Sequence, residues 1–209
     1  MTILALEFSS SRRSVALARD GRLLAEAVEH SGARGTNALG LIEQALATAG
    51  LTREAVEVIV VGLGPGSYTG IRAAIAVAQG WELARGAKLL GLGSLESLAA
   101  VAREAGIRGR VHLAVDAQRG EFYLAEWDIS GAGVKAVSPL VIVPAGELAA
   151  RQSRGEICLG PELAKAVFPS AATTAVLAAG RADFLPGEKL EPIYLRETSF
   201  VKAPAGRMV

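Results

Sequence analysis

Short, mostly apolar runs separated by turn residues open the chain. Residues 3–8 form such a run, which is typical of a buried strand. Further strands are predicted at 14–19 and 22–29, and Asp20-Gly21 between them favours a tight hairpin turn. The pattern therefore predicts a three-stranded antiparallel meander at the start of the chain.

Apolar residues at helical spacing follow the meander. Leu39, Ile42 and Leu46 lie on one stripe of a helix predicted at 36–49, which Thr36 can cap. After it the pattern predicts, in order, a buried strand at 56–62, a helix at about 68–85, a short strand at 88–91 and a helix from Ser94, its cap, to about 105. This alternation is typical of an α/β protein.

The opening pattern returns in the second half of the chain. Leu113-Ala-Val-Asp116 repeats Leu4-Ala-Leu-Glu7, and strands follow at 119–126 and 134–143. The rest predicts a helix that Pro144 begins, a strand at 156–159 and a helix that Pro161 begins. Three antiparallel strands followed by helix, strand and helix make a ribonuclease H-like unit.

Two such units in tandem predict an α/β protein with the duplicated fold of actin, sugar kinases and chaperone ATPases (the ASKHA fold). The predicted units are residues 1–107, with the N-terminal helices, and residues 108–209, a more degenerate half with a C-terminal tail. A single doubly wound α/β domain with a chance match is the alternative. Fold alone says nothing about function.

Composition and charge exclude several classes of protein. Hydrophobic residues make up 51% of the chain but aromatic residues only 5%, which suits sheets covered by alanine-rich helices. The net charge is +1 without a basic stripe, so we expect any RNA contact to be shared with a partner. Cys158 is the only cysteine, which excludes an internal disulfide and a multi-cysteine zinc site.

The apolar stretches also predict where the protein resides. The start of the chain lacks a basic segment followed by a long apolar core, so we expect no signal peptide. The longest uncharged apolar stretch, residues 73–81, is far shorter than the roughly 20 residues that span a bilayer. We therefore expect a cytoplasmic protein without membrane contact.

A glycine-rich string joins a predicted strand to a predicted helix. Residues 62–72 read Gly-Leu-Gly-Pro-Gly-Ser-Tyr-Thr-Gly-Ile-Arg. Ser67 or Thr69 can cap the helix, and free N–H groups there favour an anion. The string lacks both the Walker ending and the dinucleotide spacing. On the residues alone, a turn that needs glycine for packing is the simpler interpretation.

The same string closely resembles the signature of the bacterial threonylcarbamoyladenosine biosynthesis family TsaB, also called YeaZ. Residues 3–10, 114–123 and 191–196 resemble the family's first strand, second-half start and C-terminal signature, in the same order. The resemblance implies the duplicated actin-like fold and a role in modifying the adenosine beside the anticodon of tRNAs that read codons starting with A. In that system a paralogue, TsaD, carries the metal and transfers the threonylcarbamoyl group, and a small ATPase, TsaE, joins the complex.

The resemblance further implies that this chain is a non-catalytic partner that TsaD requires, and that tRNA is reached indirectly through the complex. It places a dimer interface on the first two helices, shared by the homodimer and the pair with the TsaD-type paralogue. The predicted interface residues are Thr36, Leu39, Ile42, Leu46, Tyr68, Thr69, Ile71, Arg72, Ile75, Ala76 and Gln79. On periodicity alone, both helices are equally consistent with core.

Two carboxylates occupy equivalent positions in the two halves, Glu7 and Asp116. In kinases and ATPases of this fold such groups organise Mg²⁺ and phosphate. The candidate nucleotide-binding residues are Glu7, Gly64, Gly66, Ser67 and Asp116, with ATP or ADP at the interface of the complex as the candidate ligand. The alternative is that each carboxylate caps the turn after it. The family usually has Asp where this chain has Glu7, and often a histidine where it has Arg34-Gly-Thr36.

The chain offers little for independent catalysis. A metal-dependent transferase of this superfamily needs a histidine pair at helical spacing, whereas His30 and His112 lie in different predicted strands. No metal or cofactor of its own is therefore predicted. A free-standing ATPase or small-molecule kinase is the alternative function. A peptidase ranks lowest, because Cys158 has no local histidine.

Trp81 and Trp127 are candidates for interface anchors or core. Arg12, Arg13 and Arg72 are candidates for a shared RNA or nucleotide site.

Overall fold

The computed structural model describes residues 1–30 and 37–196, and within them two mixed sheets. The first contains β1 (Thr2–Glu7), β2 (Arg12–Arg19), β3 (Arg22–His30), β4 (Val58–Gly62) and β5 (Lys88–Leu92) in the order β3-β2-β1-β4-β5. β1, β2 and β3 pair antiparallel, and β4 and β5 extend the sheet in parallel with β1. This is the ribonuclease H-like order that the meander predicts.

The hairpin between β2 and β3 has the geometry that its sequence predicts. Asp20 has a φ of 50° and Gly21 a φ of 77°, so both lie in the left-handed region that a type I′ turn needs. Asp20 tolerates this conformation better than most residues, and Gly21 has no side chain to hinder it.

The second sheet repeats the arrangement in a shorter form. Its strands are β6 (Gly109–Asp116), β7 (Glu121–Ile129), β8 (Val134–Ala136), β9 (Val141–Pro144) and β10 (Cys158–Leu159). β6 pairs antiparallel with β7 and parallel with β10, as β1 pairs with β2 and β4. β8 and β9 both pair with β7. The predicted duplicated α/β fold is confirmed.

Five α-helices cover the sheets in the described part of the chain: α1 (Ala38–Ala49), α2 (Tyr68–Arg85), α3 (Ser94–Glu104), α4 (Ala145–Ser153) and α5 (Ala171–Ala178). β1 is buried on both faces, because helices cover both, and its residues alternate between the two faces. Leu4 and Leu6 pack with α1 and α2, whereas Ile3 and Ala5 pack with α5.

Two helices cross between the halves. α3 follows the last strand of the first sheet, but Leu95, Leu98 and Ala102 pack in the core of the second sheet. α5 follows the second sheet, but Ala171 and Ala175 pack on the first. Each sheet therefore depends on a helix that the other part of the chain provides. The division between residues 107 and 108 stays a prediction.

Two predicted elements are wrong, and a proline explains one of them. Residues 134–143 are not one strand, because Pro139, which has no N–H to donate, lies between β8 and β9. No helix begins at Pro161. Residues 161–165 form a turn and a bend, Ala166 makes a bridge to Gly160, and α5 begins only after Ser170.

Two predicted caps also differ from the structure. Asn37 caps α1 by accepting a hydrogen bond from the N–H of Gly40, and the predicted cap Thr36 lies outside the described residues. Ser94 is the first residue of α3 and does not cap it, because its hydroxyl contacts Glu7 instead. Gly50 ends α1 in the left-handed conformation.

Among the described residues, no helix is long and apolar enough to cross a bilayer.

Candidate functional site

The glycine-rich string packs its backbone directly on the end of β1. The N–H of Ser67 donates to the carbonyl of Ser9 over 2.7 Å. A Cβ on Gly66, whose φ is 148°, would overlap that carbonyl, and a Cβ on Gly70 would overlap the carbonyl of Phe8. The close approach of two backbones explains why glycine is needed at both positions.

Several N–H groups of the string bind the chain itself. Of the two candidate caps, Ser67 and not Thr69 caps α2, by accepting from the N–H of Gly70 over 3.3 Å. The N–H of Gly64 donates to the hydroxyl of Ser94 over 3.1 Å. The N–H groups of Gly64 and Gly70 therefore already have partners in the chain, whereas a bound phosphate would need such donors. The string is thus built as a packing turn, and the nucleotide-binding role of Gly64, Gly66 and Ser67 stays a prediction.

Glu7 lies beneath the string with no exposed surface. Its Oε1 accepts from the N–H of Ser9 over 3.0 Å, and the hydroxyl of Ser94 donates to its Oε2 over 3.0 Å. Burial raises the pKa of Glu7 above its ordinary value, and the hydrogen bonds from Ser9 and Ser94 partly oppose that shift. Glu7 is not among the residues that line the neighbouring cleft.

Asp116 lies at that cleft and binds its own turn. Its Oδ1 accepts from the N–H of Gln118 over 2.7 Å, and its Oδ2 accepts from the side-chain amide over 2.8 Å. Glu7 and Asp116 thus both accept from the N–H two residues ahead, as the capping interpretation expects. The structure does not place both carboxylates in one cavity.

The four stretches that resemble TsaB meet at this cleft, which has a volume of about 440 Å³. The C-terminal stretch joins it by a hydrogen bond from the N–H of Ile193 to the carbonyl of Leu63, 2.8 Å long. The rings of Tyr68 and Tyr194 meet edge to face at 5.0 Å. The lining residues are Ser9, Ser10, Ser11, Arg13, Gly66, Ser67, Tyr68, Asp116, Ala117, Gln118, Tyr123, Glu162 and Tyr194.

Sequence reasoning did not identify several of these residues as part of a site. Tyr123 and Tyr194 belong to stretches that carry the family resemblance, so a signal for them existed. Glu162 had no such signal. Its carboxylate accepts from the N–H of Asp116 over 3.4 Å, and burial together with the charge of Asp116 raises its pKa.

Other chemistry-bearing side chains lie elsewhere. His30 ends β3, and His112 in β6 contacts Glu156 with 2.7 Å between Nε2 and Oε2. Cys158 is buried, and burial raises the pKa of its thiol, which opposes formation of a nucleophilic thiolate. Among the described residues, no three His, Cys, Asp or Glu side chains are grouped to hold a metal ion.

A second surface lies between α1 and α2, a groove of about 450 Å³. Leu39 is 62% exposed at one side of it. Ala76, Gly80 and Ala84 of α2 are exposed along it, and Leu83 on the same helix is 91% exposed. The charged residues Arg53, Glu54 and Arg85 also line the groove, and its exposed apolar residues have no cover among the residues that the structure describes. We call it the α1–α2 groove.

The predicted interface residues divide between surface and core. Leu39, Tyr68, Thr69, Arg72 and Ala76 are exposed, and Gln79 is half-buried with its amide donating to the carbonyl of Gly187 over 2.8 Å. Those buried in the core of the first sheet are Ile42, Leu46, Ile71 and Ile75. The buried set supports the groove from below, and Thr36 lies outside the described residues.

The candidate tryptophans and arginines have local contacts. Trp81 and Trp127 are half-buried, and each packs against a core. The guanidinium of Arg72 lies 5.2 Å from the Tyr68 ring centre and donates to its hydroxyl over 2.6 Å. Arg12 lies 3.9 Å from Glu26, and Arg13 lines the cleft.

Known proteins resemble this chain in sequence. A family model described as "TsaD: tRNA N6-adenosine threonylcarbamoyltransferase" matches residues 31–182, well over half of the chain. The "tRNA threonylcarbamoyladenosine biosynthesis protein TsaB" of Escherichia coli (strain K12) is 32% identical over 134 residues, which are 64% of this chain and 58% of that protein. The protein of the same name from Bacillus subtilis (strain 168) is 29% identical over 140 residues, 66% of this chain and 60% of that protein.

A solved structure resembles it in fold. "YeaZ from Pseudomonas aeruginosa" matches with a TM-score of 0.78 and 27% identity, over 93% of this chain and 99% of that one. The chain spans little more than half the length of the curated relatives it matches.

Proposed function

Because the chain belongs to the TsaB (YeaZ) branch of the family that the TsaD model describes, we propose that it is a non-catalytic partner of a TsaD-type threonylcarbamoyltransferase. In this proposal it activates the formation of threonylcarbamoyladenosine beside the tRNA anticodon. The partner supplies the transfer chemistry, and this chain supplies a docking surface.

The α1–α2 groove is the observation that carries the proposal. Exposed apolar area of this kind is costly in water and marks interaction sites. Small residues such as Ala76 and Gly80 let a second helix approach closely. The buried Ile42 and Ile75 hold the two helices in place beneath the surface.

The placement of the histidines also supports a non-catalytic role. A site for a catalytic metal draws its ligands together, whereas His30 lies in the first sheet and His112 in the second. The thiol of Cys158 lies in a core. The reacting groups are therefore assigned to the paralogue.

The proposal includes the other members of the complex. A homodimer would use the same groove, so it and the paralogue compete for one surface. A TsaE-type ATPase joins the complex, and tRNA is bound through the complex as a whole. ATP or ADP is a candidate ligand at the interface of the complex, where the polar cleft opens next to the first turn of α2.

The test compares two substitutions in full-length protein. Ala76→Arg puts a long, charged side chain into the groove. Ala149→Arg is the control, because it puts the same side chain on the exposed face of α4, outside the groove. We expect Ala76→Arg to abolish co-purification with the TsaD-type paralogue and to reduce threonylcarbamoyladenosine formation in a reconstituted reaction at least tenfold. Ala149→Arg should behave like the unmodified chain.

Two outcomes would contradict the proposal. One is a paralogue that reaches full activity without this chain. The other is Ala76→Arg and Ala149→Arg having equal effects on binding and modification, since the groove would then have no special role. Thermal unfolding of both variants confirms that each is folded before the comparison is made.

A further inference from the structure

Ser94 is fixed between Glu7 and the glycine-rich string. Its hydroxyl lies 3.2 Å and 3.0 Å from the two carboxyl oxygens of Glu7, and it accepts from the N–H of Gly64 over 3.1 Å. The N–H of Ser94 also donates to the carbonyl of Gly64 over 2.7 Å. Ser94 therefore binds both backbone groups of one loop residue.

The contacts lie in the interior of the molecule. Glu7 has no exposed surface and Ser94 has 2%. Gly62 lies against the carboxyl group so closely that a Cβ there would overlap it. A second bond joins the same segments, from the N–H of Leu63 to the carbonyl of Leu92 over 2.7 Å. Because buried hydrogen bonds are costly to leave unmade, each partner constrains the next.

The string held in this way leads directly into α2. Three residues after Gly64, Ser67 caps the helix, and Tyr68 begins it beside the cleft. Only two residues thus separate Gly64 from the cap of the first turn of α2, which carries the exposed residues Tyr68, Thr69 and Arg72.

We propose that Glu7 and Ser94 are positioning residues that together fix Gly64, and through it the glycine-rich string and the first turn of α2. We call the three residues the Glu7–Ser94–Gly64 latch. In this chain the carboxyl group at the end of β1 binds Ser94 of the protein itself, and not a metal ion or a phosphate. The consequence for docking rests on the proposed function.

Amide hydrogen exchange of the full chain, followed by NMR, tests the latch. Ser94→Ala removes the acceptor of the Gly64 N–H, and we expect that amide to exchange about tenfold faster, the effect of losing one buried hydrogen bond. Ser97→Ala is the matched control. Ser97 is one turn away on α3 and is also buried, and its hydroxyl also both donates and accepts, but both bonds go to Ser170. The Gly64 amide should be unaffected there.

Two substitutions of Glu7 separate positioning from general stability. Glu7→Gln keeps the length of the side chain. With its Oε1 accepting from the N–H of Ser9, its amide N–H can donate to the hydroxyl oxygen of Ser94, so Gly64 should stay protected. Glu7→Asp shortens the side chain by about 1.5 Å, which takes it out of reach of Ser94, so Gly64 should exchange as in Ser94→Ala. Equal exchange in Ser94→Ala and Ser97→Ala, or in Glu7→Asp and Glu7→Gln, would overturn the latch.

Affinity for the TsaD-type paralogue, measured with the same variants, separates the two proposals. Faster Gly64 exchange with a matching loss of affinity supports both. Faster exchange with unchanged affinity supports the latch and contradicts a docking role for the first turn of α2. Unchanged exchange overturns the latch whatever the affinity is.

Discussion

Ionisation of Glu7 costs free energy in the folded chain, because its carboxyl group is buried away from water. The hydrogen bonds from those two serines favour the charged form but do not cancel the effect of burial, so the pKa remains raised. The sequence indicates a carboxylate at the end of a strand. It gives no sign of Ser94, which lies 87 positions away, because that contact exists only after both elements have packed.

A raised pKa makes stability depend on pH. An exposed glutamate in the unfolded chain releases its proton near pH 4.3, whereas folded Glu7 keeps it to a higher pH. Between those two pKa values the folded state binds more protons, so the free energy of unfolding falls as pH rises. Glu7→Gln cannot ionise, and its Tm relative to the natural chain should therefore be higher at pH 8 than at pH 4. Thermal unfolding at both values checks this, and an equal difference at both would contradict it.

At the scale of one element, α2 combines two glycines in opposite surroundings. Gly70 faces the carbonyl of Phe8, whereas a Cβ on Gly80 would meet open space. The first is needed for close packing, and the second has no packing reason within the described residues of this chain. Gly80 lies in the α1–α2 groove, where close approach of a second helix would provide one.

Alanine at each glycine gives a paired test on α2. Gly70→Ala should lower the free energy of unfolding by about 1–3 kcal/mol, because the new methyl group displaces the end of β1. Gly80→Ala should raise it by up to about 1 kcal/mol, because alanine favours the helix. Denaturant titrations of both variants measure the two values. If both change stability in the same direction, the backbone contact at Gly70 is not the cause.

Local signals explain which elements could be predicted. α2 has the predicted bounds because Ser67 and Gly86 mark its ends, and the hairpin follows from Asp20-Gly21. The error at 134–143 came from reading an apolar run without giving Pro139 enough weight, and the error at 161–167 came from taking Pro161 as the start of a helix. In the candidate site, the string and Asp116 could be predicted from sequence. The contact of Tyr68 with Tyr194 could not, because it depends on how distant segments pack.

At the scale of the whole molecule, the crossing of α3 and α5 joins the halves. The fragment 1–107 keeps the first sheet but loses α5, which exposes Ile3, Ala5, Val60 and Leu90 on one face. We expect this fragment alone to lack cooperative thermal unfolding by circular dichroism. Mixing it with the fragment 108–209 should restore a cooperative transition. A fragment 1–107 that unfolds cooperatively by itself would contradict the expectation.

The same crossing affects how the protein is made. The strands of the first sheet leave the ribosome before α5 has been synthesised, and at about 5–20 residues per second the delay lasts several seconds. During that time one apolar face of the nascent sheet remains exposed to water and can bind other apolar surfaces. Newly made copies translated side by side, or a chaperone that holds aliphatic segments, would meet that side before the chain's own C-terminal helix does.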